Sequence, residues 1–184
     1  KIGYNYRMSN ICAGIGRGQM SVAQEHIDHH KHVQALYKEL LADVNGITLH
    51  EKPSERYDSN FWLCTVTLDE KLNVKGEEQA YATAITGIVG GTAGVTHTIK
   101  NVHTDIEPNI NVEAMRITLD KANIETRPLW KPMHCQPVYI NNPAYTNGVS
   151  ESLFKVGLCL PAGPYVTDDD VRYIVEQIKN AIKE

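Results

Sequence analysis

Along residues 21–44 the apolar positions recur every three or four residues, which is the spacing of one buried face of an α-helix. Ser21 and Gln24 have the S-x-x-Q spacing of a capping box, in which two side chains bond free backbone N–H groups of the first turn. Gly46 can adopt the left-handed conformation that ends a helix. The pattern therefore predicts a long amphipathic helix over residues 21–44.

Shorter patterns predict four further helices. They cover residues 9–20, 111–123, 149–156 and a C-terminal stretch capped by Thr167 and Asp170. The first is unusual because Gly14, Gly16 and Gly18 each lower helix stability by up to about 1 kcal/mol relative to alanine. Small residues permit another backbone to pack very close, which indicates either a tight helix crossing or a position at a subunit interface or cofactor floor.

Between the helices, four stretches have the β-branched, aromatic or alternating character of strands. They are residues 47–50, 60–68, 124–129 and 157–160. The prolines of residues 130–148 indicate an extended, turning loop. Two leading helices followed by interleaved strands and helices predict an α/β fold, with a small sheet covered on one side.

The composition is typical of a globular chain, since 42% of the 184 residues are hydrophobic, 22% are charged and the net charge is −4. Acidic and basic residues are mixed, which argues against a nucleic-acid or membrane surface, and no apolar run approaches the ~20 residues of a membrane span. The four cysteines lack the spacing of a zinc site or a disulfide framework, so reduced thiols and a cytoplasmic location are expected. Because the chain does not begin with methionine, we expect it to be a fragment.

Residues 3–7, GYNYR, gather groups suited to anion binding just before a predicted helix. Asn5 can donate from its amide, and Arg7 can hold a phosphate through two parallel hydrogen bonds. Anions also favour a helix N-terminus. The alternative interpretation is a tyrosine-rich turn with Arg7 in a surface ion pair, and chemistry alone does not decide between the two.

A second cluster lies in the loop of residues 126–139. It contains Arg127, Trp130, Lys131, His134 and Tyr139. Three prolines stiffen this loop, and a stiff loop on a scaffold can hold binding side chains in place. The segment is therefore interpreted as a pocket wall, as a connector whose Trp130 and Met133 plug the core, or as both.

Other residues that could carry chemistry give weaker patterns. His26 and His30 share a face of the long helix, but zinc needs three or four ligands, so no metal is predicted. Lys131 beside Trp130 would be a nucleophile if desolvated, although a lysine flanked by proline in a loop is typically exposed. Residues 87–95 are rich in glycine but lack the lysine of a P-loop.

Three longer segments, taken together, are similar to a known family. They are GYNYRMSNICAGIGRGQM at 3–20, ETRPLWKPMHCQPVY at 125–139 and GVSESLFKVGLCLPAG at 148–163. In order and rough spacing they resemble the DegT/DnrJ/StrS family of pyridoxal phosphate (PLP)-dependent sugar aminotransferases. The greatest similarity is to members that aminate a UDP-linked 4-keto-6-deoxy sugar in polysaccharide or glycan synthesis. The resemblance covers most of the chain except about residues 70–110.

The resemblance implies the type I aminotransferase fold and a set of domain boundaries. Residues 1–20 would be a remnant of the large cofactor domain at the dimer seam, residues 21–45 a linking helix and residues 46–184 the C-terminal small α/β domain. That domain is expected to have a small, mostly antiparallel sheet with helices packed on one side. Residues 77–110 depart from the family, whose usual connection is shorter, and are expected to form a loop-rich insertion at the surface.

The resemblance also implies roles for individual residues. Asn5 matches the residue that reaches the PLP phosphate of the neighbouring subunit, and Arg7 matches one that holds the nucleotide-sugar diphosphate across the interface. His134 would line the substrate pocket. Further candidates for contact with the substrate are Tyr4, Arg127 and Trp130.

The implied reaction moves an amino group from glutamate to PLP and then to the keto-sugar, within a homodimer that shares its active sites. The Schiff-base lysine and the aspartate that pairs with the pyridine nitrogen would both fall before Lys1. No catalytic residue is therefore assigned within the chain, which is expected to be inactive alone. The alternatives are a non-catalytic small α/β ligand-binding or dimerisation module, and a relative that has lost catalysis and acts as a regulator.

Overall fold

The computed structural model describes residues 7–76 and 106–183. Its helices are α1 (Asn10–Met20), α2 (Ala23–Leu41), α3 (Ile110–Lys121), α4 (Val149–Val156) and α5 (Asp168–Ala181), with a short 3-10 turn at Met133–Cys135. Its strands are β1 (Ile47–Leu49), β2 (Cys64–Leu68), β3 (Arg127–Pro128) and β4 (Gly157–Leu160). In these two ranges, none of the helices is both long and apolar enough to pass through a lipid bilayer.

The four strands form one sheet in the order β1-β2-β4-β3, and every neighbouring pair is antiparallel. Val66 lies opposite Leu158, and Thr65 lies opposite Cys159. Side chains alternate between the two faces of a strand, so Val66 and Leu158 share one face and Thr65 and Cys159 share the other. The predicted α/β class with a small antiparallel sheet is confirmed.

The main core lies on the face that carries Val66 and Leu158. Helices α2, α3 and α5 cover this face, with α5 packed against both of the others. The largest fully buried side chains on these helices include Tyr37, Met115 and Ile178. The Tyr37 hydroxyl donates to the carbonyl oxygen of Pro161 at 3.0 Å, and burial raises the pKa of this phenol. That hydrogen bond satisfies the one polar atom that the tyrosine brings into the core.

The opposite face of the sheet is covered by α4 and by the loop that precedes it. Gly157, the first residue of β4, lies on this face because it is paired with Thr67. A β-carbon at Gly157 would lie 2.5 Å from the Cγ atom of Leu129 and 2.7 Å from the carbonyl oxygen of Leu153. The prediction that helices pack on one side of the sheet holds for α2, α3 and α5. It does not hold for α4, which packs against β2 from the other side.

The two predicted capping boxes have different outcomes. Thr167 and Asp170 form theirs, with the Asp170 backbone N–H donating to the Thr167 hydroxyl at 3.2 Å. The box predicted for Ser21 and Gln24 is wrong, because α2 begins at Ala23 without a side-chain cap. Ser21 donates instead to the Gly18 carbonyl oxygen, and Gln24 donates to a carboxylate one turn further along α2.

Helix α1 contributes no buried residue to the core. Its apolar residues Ile11, Ile15 and Met20 are 76%, 62% and 74% exposed. A β-carbon added to any of its three glycines would meet nothing within 4 Å. The described part of the chain therefore provides no tight helix crossing at these glycines, and the interpretation of this helix as a subunit interface or cofactor floor stays open.

Two predicted strands are markedly shorter in the structure. The strand predicted over 60–68 begins only at Cys64, and the strand predicted over 124–129 is limited to Arg127–Pro128. Residues 77–105 of the expected insertion at 77–110 lie outside the described residues. The next helix, α3, begins at Ile110.

Candidate functional site

Two exposed tryptophans flank a surface groove between the segment that leads into β2 and the segment that follows β3. The groove has a volume of about 440 Å³ and is lined by residues of the 50–65 segment together with Trp130. Trp62 and Trp130 are 60% and 65% exposed, and their ring centroids are 5.9 Å apart at an interplanar angle of 38°. The pair offers a large aromatic surface to a ligand, because most of each indole faces solvent.

The backbone before β2 accounts for the position of Trp62. Phe61 has a φ of 45°, a left-handed conformation that is uncommon for a bulky residue. Two side chains brace the turn: the Ser59 hydroxyl accepts from the Phe61 backbone N–H at 3.1 Å, and the Asn60 amide oxygen accepts from the Trp62 backbone N–H at 3.3 Å. The turn interrupts the predicted strand and directs Trp62 to the groove.

Charged side chains at this groove are held in surface ion pairs. Lys52, which lines the groove, donates to Glu55 at 2.8 Å, and the Glu55 carboxylate is 91% exposed. Asp58 lines it too and accepts from Lys31 at 2.7 Å, which lowers the pKa of Asp58 below its ordinary value. Such exposed pairs contribute little to stability, so Lys52 can exchange its carboxylate for an anionic ligand at small cost.

His134 lies in a second, smaller groove of about 310 Å³, which is also lined by Tyr139 and Tyr145. The Nε2 atom of His134 is 2.6 Å from the Oε1 atom of Glu151, and both side chains are largely buried. The pKa of the Glu151 carboxyl lies below its ordinary value for two reasons. The larger is a hydrogen bond from the backbone N–H of Glu151 itself, in the first turn of α4, and the second is the hydrogen bond with His134. Glu151 is therefore a charged anchor that fixes the orientation of the imidazole.

The remaining candidates of residues 126–139 have other contacts. Arg127 is exposed and its Nε atom donates to Glu125 at 3.1 Å. The Nζ atom of Lys131 lies 3.4 Å from Glu107 and 5.9 Å above the centre of the Phe154 ring. Lys131 is thus a partner in an ion pair and a cation–π contact, and it is not placed as a nucleophile.

The structure does not bring all the predicted site residues together. Trp130 lines the first groove and His134 lines the second, while Arg7, exposed just before α1, lines neither. Tyr4 and Asn5 lie outside the described residues. Sequence reasoning missed Trp62, which was assigned to a strand, and Glu151, which lies 17 positions from its histidine.

The described candidate residues of the loop at 126–139 do not supply a lysine that is placed to anchor PLP. That cofactor needs a lysine amine and groups that hold its phosphate. Lys131, the lysine of the loop at 126–139, is engaged by Glu107 and Phe154.

The histidines of α2 do not form a metal site among the described residues. The Nε2 atom of His32 lies 2.7 Å from the Oδ1 atom of Asp168. Burial lowers the pKa of His30, and the neighbouring His29 and His26 lower it further. In the described ranges, the one group of three possible ligands is His134, Cys135 and Glu151, whose ligand atoms all lie within 4.8 Å of one another. This cluster was not predicted, because Glu151 reaches it only through the fold.

Comparison with known proteins adds an independent line of information. The sequence pattern of the DegT/DnrJ/EryC1/StrS aminotransferase family matches residues 1–86 and 79–179. The chain is 31% identical over 182 residues to EpsN of Bacillus subtilis (strain 168), which is named as a pyridoxal phosphate-dependent aminotransferase; this covers 96% of the chain and 36% of EpsN. It is 27% identical over 177 residues to the GDP-perosamine synthase of Escherichia coli O157:H7, which covers 96% of the chain and 37% of that enzyme.

Among solved structures, the crystal structure of DesI determined with its TDP-sugar product superimposes with a TM-score of 0.68 at 22% identity, covering 97% of this chain and 36% of DesI. The chain spans little more than a third of the length of the relatives it matches. Since the family pattern extends over nearly the whole sequence, the chain belongs to the DegT/DnrJ/EryC1/StrS aminotransferase family.

Proposed function

We propose that this chain is the C-terminal part of a PLP-dependent aminotransferase that transfers an amino group from glutamate to a nucleotide-linked keto-sugar. The observation that carries the proposal is the family match over residues 1–86 and 79–179. The names of two similar proteins support the substrate class, since one is a GDP-perosamine synthase and another was crystallised with a TDP-sugar. Within that class we propose a UDP-linked 4-keto-6-deoxy sugar, because the TRPLWKPMH motif at 126–134 resembles that of family members that use one.

PLP, when bound, supplies the electron sink for amino transfer, and the protein supplies position and charge. The proposal assigns the anchoring lysine to polypeptide before Lys1 and contact with the cofactor phosphate to Asn5. The described residues would then provide the substrate side of the site. We accordingly propose that the 184 residues alone are inactive.

The first groove, which Trp62 and Trp130 flank, is proposed to hold the nucleotide part of the substrate. Stacking on Trp62 and Trp130 suits a planar base or the apolar face of a sugar, and both rings are exposed enough to accept it. Lys52 lines the same groove and is paired with the exposed carboxylate of Glu55, so it can contact the diphosphate. His134 would line the neighbouring sugar pocket, held by Glu151.

The partner of α1 is proposed to be a second copy of the protein, in a cytoplasmic homodimer with shared active sites. The apolar residues of α1 are exposed, and its glycines have open space beside them, so a second backbone can approach closely. Arg7 immediately precedes this helix and would reach the substrate diphosphate of the neighbouring subunit.

The function is tested with the full-length product of the gene that encodes this chain. Purified protein should show the visible absorption band of bound PLP and should transfer nitrogen from labelled glutamate to a UDP-linked 4-keto-6-deoxy sugar. The 184-residue chain should do neither. A full-length protein that binds no PLP, or that aminates only amino-acid-derived keto acids, contradicts the proposal.

Trp130→Ala and Trp62→Ala are each expected to raise the KM for the nucleotide sugar about 10-fold. Loss of one stacking partner costs on the order of 1–3 kcal/mol, and 1.4 kcal/mol corresponds to tenfold in affinity. Steady-state kinetics should show an unchanged KM for glutamate. Trp130→Phe, which keeps an aromatic face, should lose much less, and Tyr165→Ala is a matched control because Tyr165 is 91% exposed and does not line the groove. An unchanged KM in both tryptophan variants would remove the groove from the substrate site.

A further inference from the structure

His134, Cys135 and Glu151 place three different ligand atoms close together beside the second groove. One imidazole nitrogen, the thiol sulfur and one carboxylate oxygen lie within 4.8 Å of one another, and all three residues are partly buried. In a tetrahedral zinc site with bonds of about 2.0–2.3 Å, neighbouring ligand atoms are roughly 3.3–3.8 Å apart. Closing the cluster around an ion therefore requires side-chain movements of roughly 1 Å, without a change of fold.

The backbone holds the three residues in this arrangement. His134 and Cys135 belong to the 3-10 turn Met133–Cys135, in which the Cys135 backbone N–H donates to the Pro132 carbonyl oxygen at 2.9 Å. Pro132 fixes the start of this turn, since the pyrrolidine ring restricts its backbone. Glu151 lies in the first turn of α4, whose last residue runs directly into β4. Two separate elements thus converge on one point.

The carboxylate of Glu151 has unused capacity to accept. Its Oε1 atom is bonded to His134, whereas its Oε2 atom is buried and accepts no hydrogen bond from any other described residue. A buried carboxylate oxygen without a partner is unfavourable. A bound cation would satisfy it and would at the same time replace the contact with His134.

The donor set selects the kind of ion. Ca²⁺ and Mg²⁺ prefer sites made of oxygen, whereas a set of one nitrogen, one sulfur and one oxygen suits Zn²⁺ and similar thiophilic divalent cations. Three protein ligands leave a fourth position for water.

We propose that His134, Cys135 and Glu151 form a binding site for Zn²⁺ or a similar thiophilic divalent cation. On binding, the Cys135 thiol releases its proton to solvent, and the imidazole of His134 exchanges its proton through solvent from Nε2, where it is hydrogen-bonded to Glu151, to Nδ1, so that Nε2 presents its lone pair to the ion. The thiolate and the carboxylate then balance the two positive charges of the ion. Because a proton is released, binding strengthens as pH rises.

The site has a regulatory consequence, which, unlike the site itself, rests on the proposed function. An ion that takes the Nε2 atom of His134 withdraws this side chain from its pairing with Glu151 and fixes it beside the groove that the sugar would enter. Bound zinc is therefore an inhibitor that competes with the nucleotide sugar, and its removal by a chelator restores activity.

The test is a titration of the full-length protein with Co²⁺, a spectroscopic substitute for Zn²⁺, followed by difference absorption. One equivalent should produce the near-ultraviolet thiolate charge-transfer band and the visible bands of a tetrahedral ion, and Zn²⁺ should remove both. Cys135→Ser should abolish the charge-transfer band and weaken binding more than about 10-fold. Cys12→Ser is the matched control, because Cys12 is exposed and outside the cluster.

The result that overturns the site is a Co²⁺ spectrum that Cys135→Ser leaves unchanged, or binding that is lost in His26→Gln and kept in Cys135→Ser. Absence of any spectrum at stoichiometric Co²⁺ also overturns it. None of these readouts requires turnover, so the metal site and the proposed aminotransferase activity fail separately. If the site binds the ion but zinc inhibits the aminotransferase activity of the wild type and of Cys135→Ser equally, the regulatory consequence is wrong.

Discussion

Gly157→Ala is expected to lower the free energy of unfolding by about 3 kcal/mol, the upper end of the usual cost of overpacking. The added methyl would lie 2.7 Å from the carbonyl oxygen of Leu153 and 2.5 Å from the Cγ atom of Leu129. Leu129 can move, but the carbonyl belongs to the last turn of α4 and is fixed by the helix. The methyl can be accommodated only if α4 moves away from the sheet.

Chemical denaturation of the purified full-length protein, monitored by circular dichroism, measures this loss. Gly163→Ala is the matched control, because a β-carbon there would meet nothing within 4 Å. In a double-mutant cycle, Leu129→Ala should relieve part of the strain and leave the contact with Leu153. A Gly157→Ala protein as stable as the Gly163→Ala control would show that α4 does not pack as described.

His134→Ala is expected to lower kcat/KM for the nucleotide keto-sugar on the order of 100-fold, the size of effect that loss of a positioned side chain produces. In the proposed enzyme the imidazole lines the sugar pocket, and Glu151 fixes its orientation at 2.6 Å. Steady-state kinetics with saturating glutamate should therefore show the loss in the half-reaction that consumes the sugar.

Glu151→Gln separates positioning from folding in this pair. The amide can still bond the imidazole but carries no charge. We therefore expect a kcat/KM between those of the wild type and His134→Ala, a changed pH profile of kcat/KM and a normal circular dichroism spectrum. The pKa of the Glu151 carboxyl is held low, so in the wild type this carboxylate stays charged as pH falls until that lowered pKa is reached. Equal activity of His134→Ala and wild type would exclude His134 from the site.

Local patterns predicted the helices well because each signal is contained in a few neighbouring residues. The C-terminal helix has both its capping box and its buried face where the sequence indicated them. The box at Ser21 and Gln24 failed because α1 and α2 follow one another almost directly, so the Ser21 hydroxyl finds the Gly18 carbonyl oxygen instead. A capping motif alone does not reveal that another helix ends beside it.

The strand before residue 64 was predicted too long because composition alone favoured it. Trp62 has the same parity as Cys64 and Val66, so in a regular strand it would face the core. The positive φ of Phe61 breaks that alternation, and Ser59 and Asn60 stabilise the break through hydrogen bonds to the backbone. The signal was present in the serine and asparagine before two aromatic residues, which is typical of a turn.

Contacts between distant segments explain what sequence reasoning could not supply at the site. The sequence singled out Trp130 and His134, but their partners Trp62 and Glu151 come from other elements. The pairing of β2 with β4 and the packing of α4 decide which residues meet, and neither has a local signature.

The outer strands of the sheet limit how copies of the chain can associate. On one margin, β3 has only two residues and one of them, Pro128, has no N–H to offer to a neighbouring strand. On the other margin, β1 has only three residues. Such short edge strands offer an additional strand too few hydrogen bonds to hold it, which disfavours extension of the sheet into a fibril. Among the residues that the structure describes, the sheet therefore offers a second copy no long edge to extend, and the surfaces open to a partner are those formed by side chains.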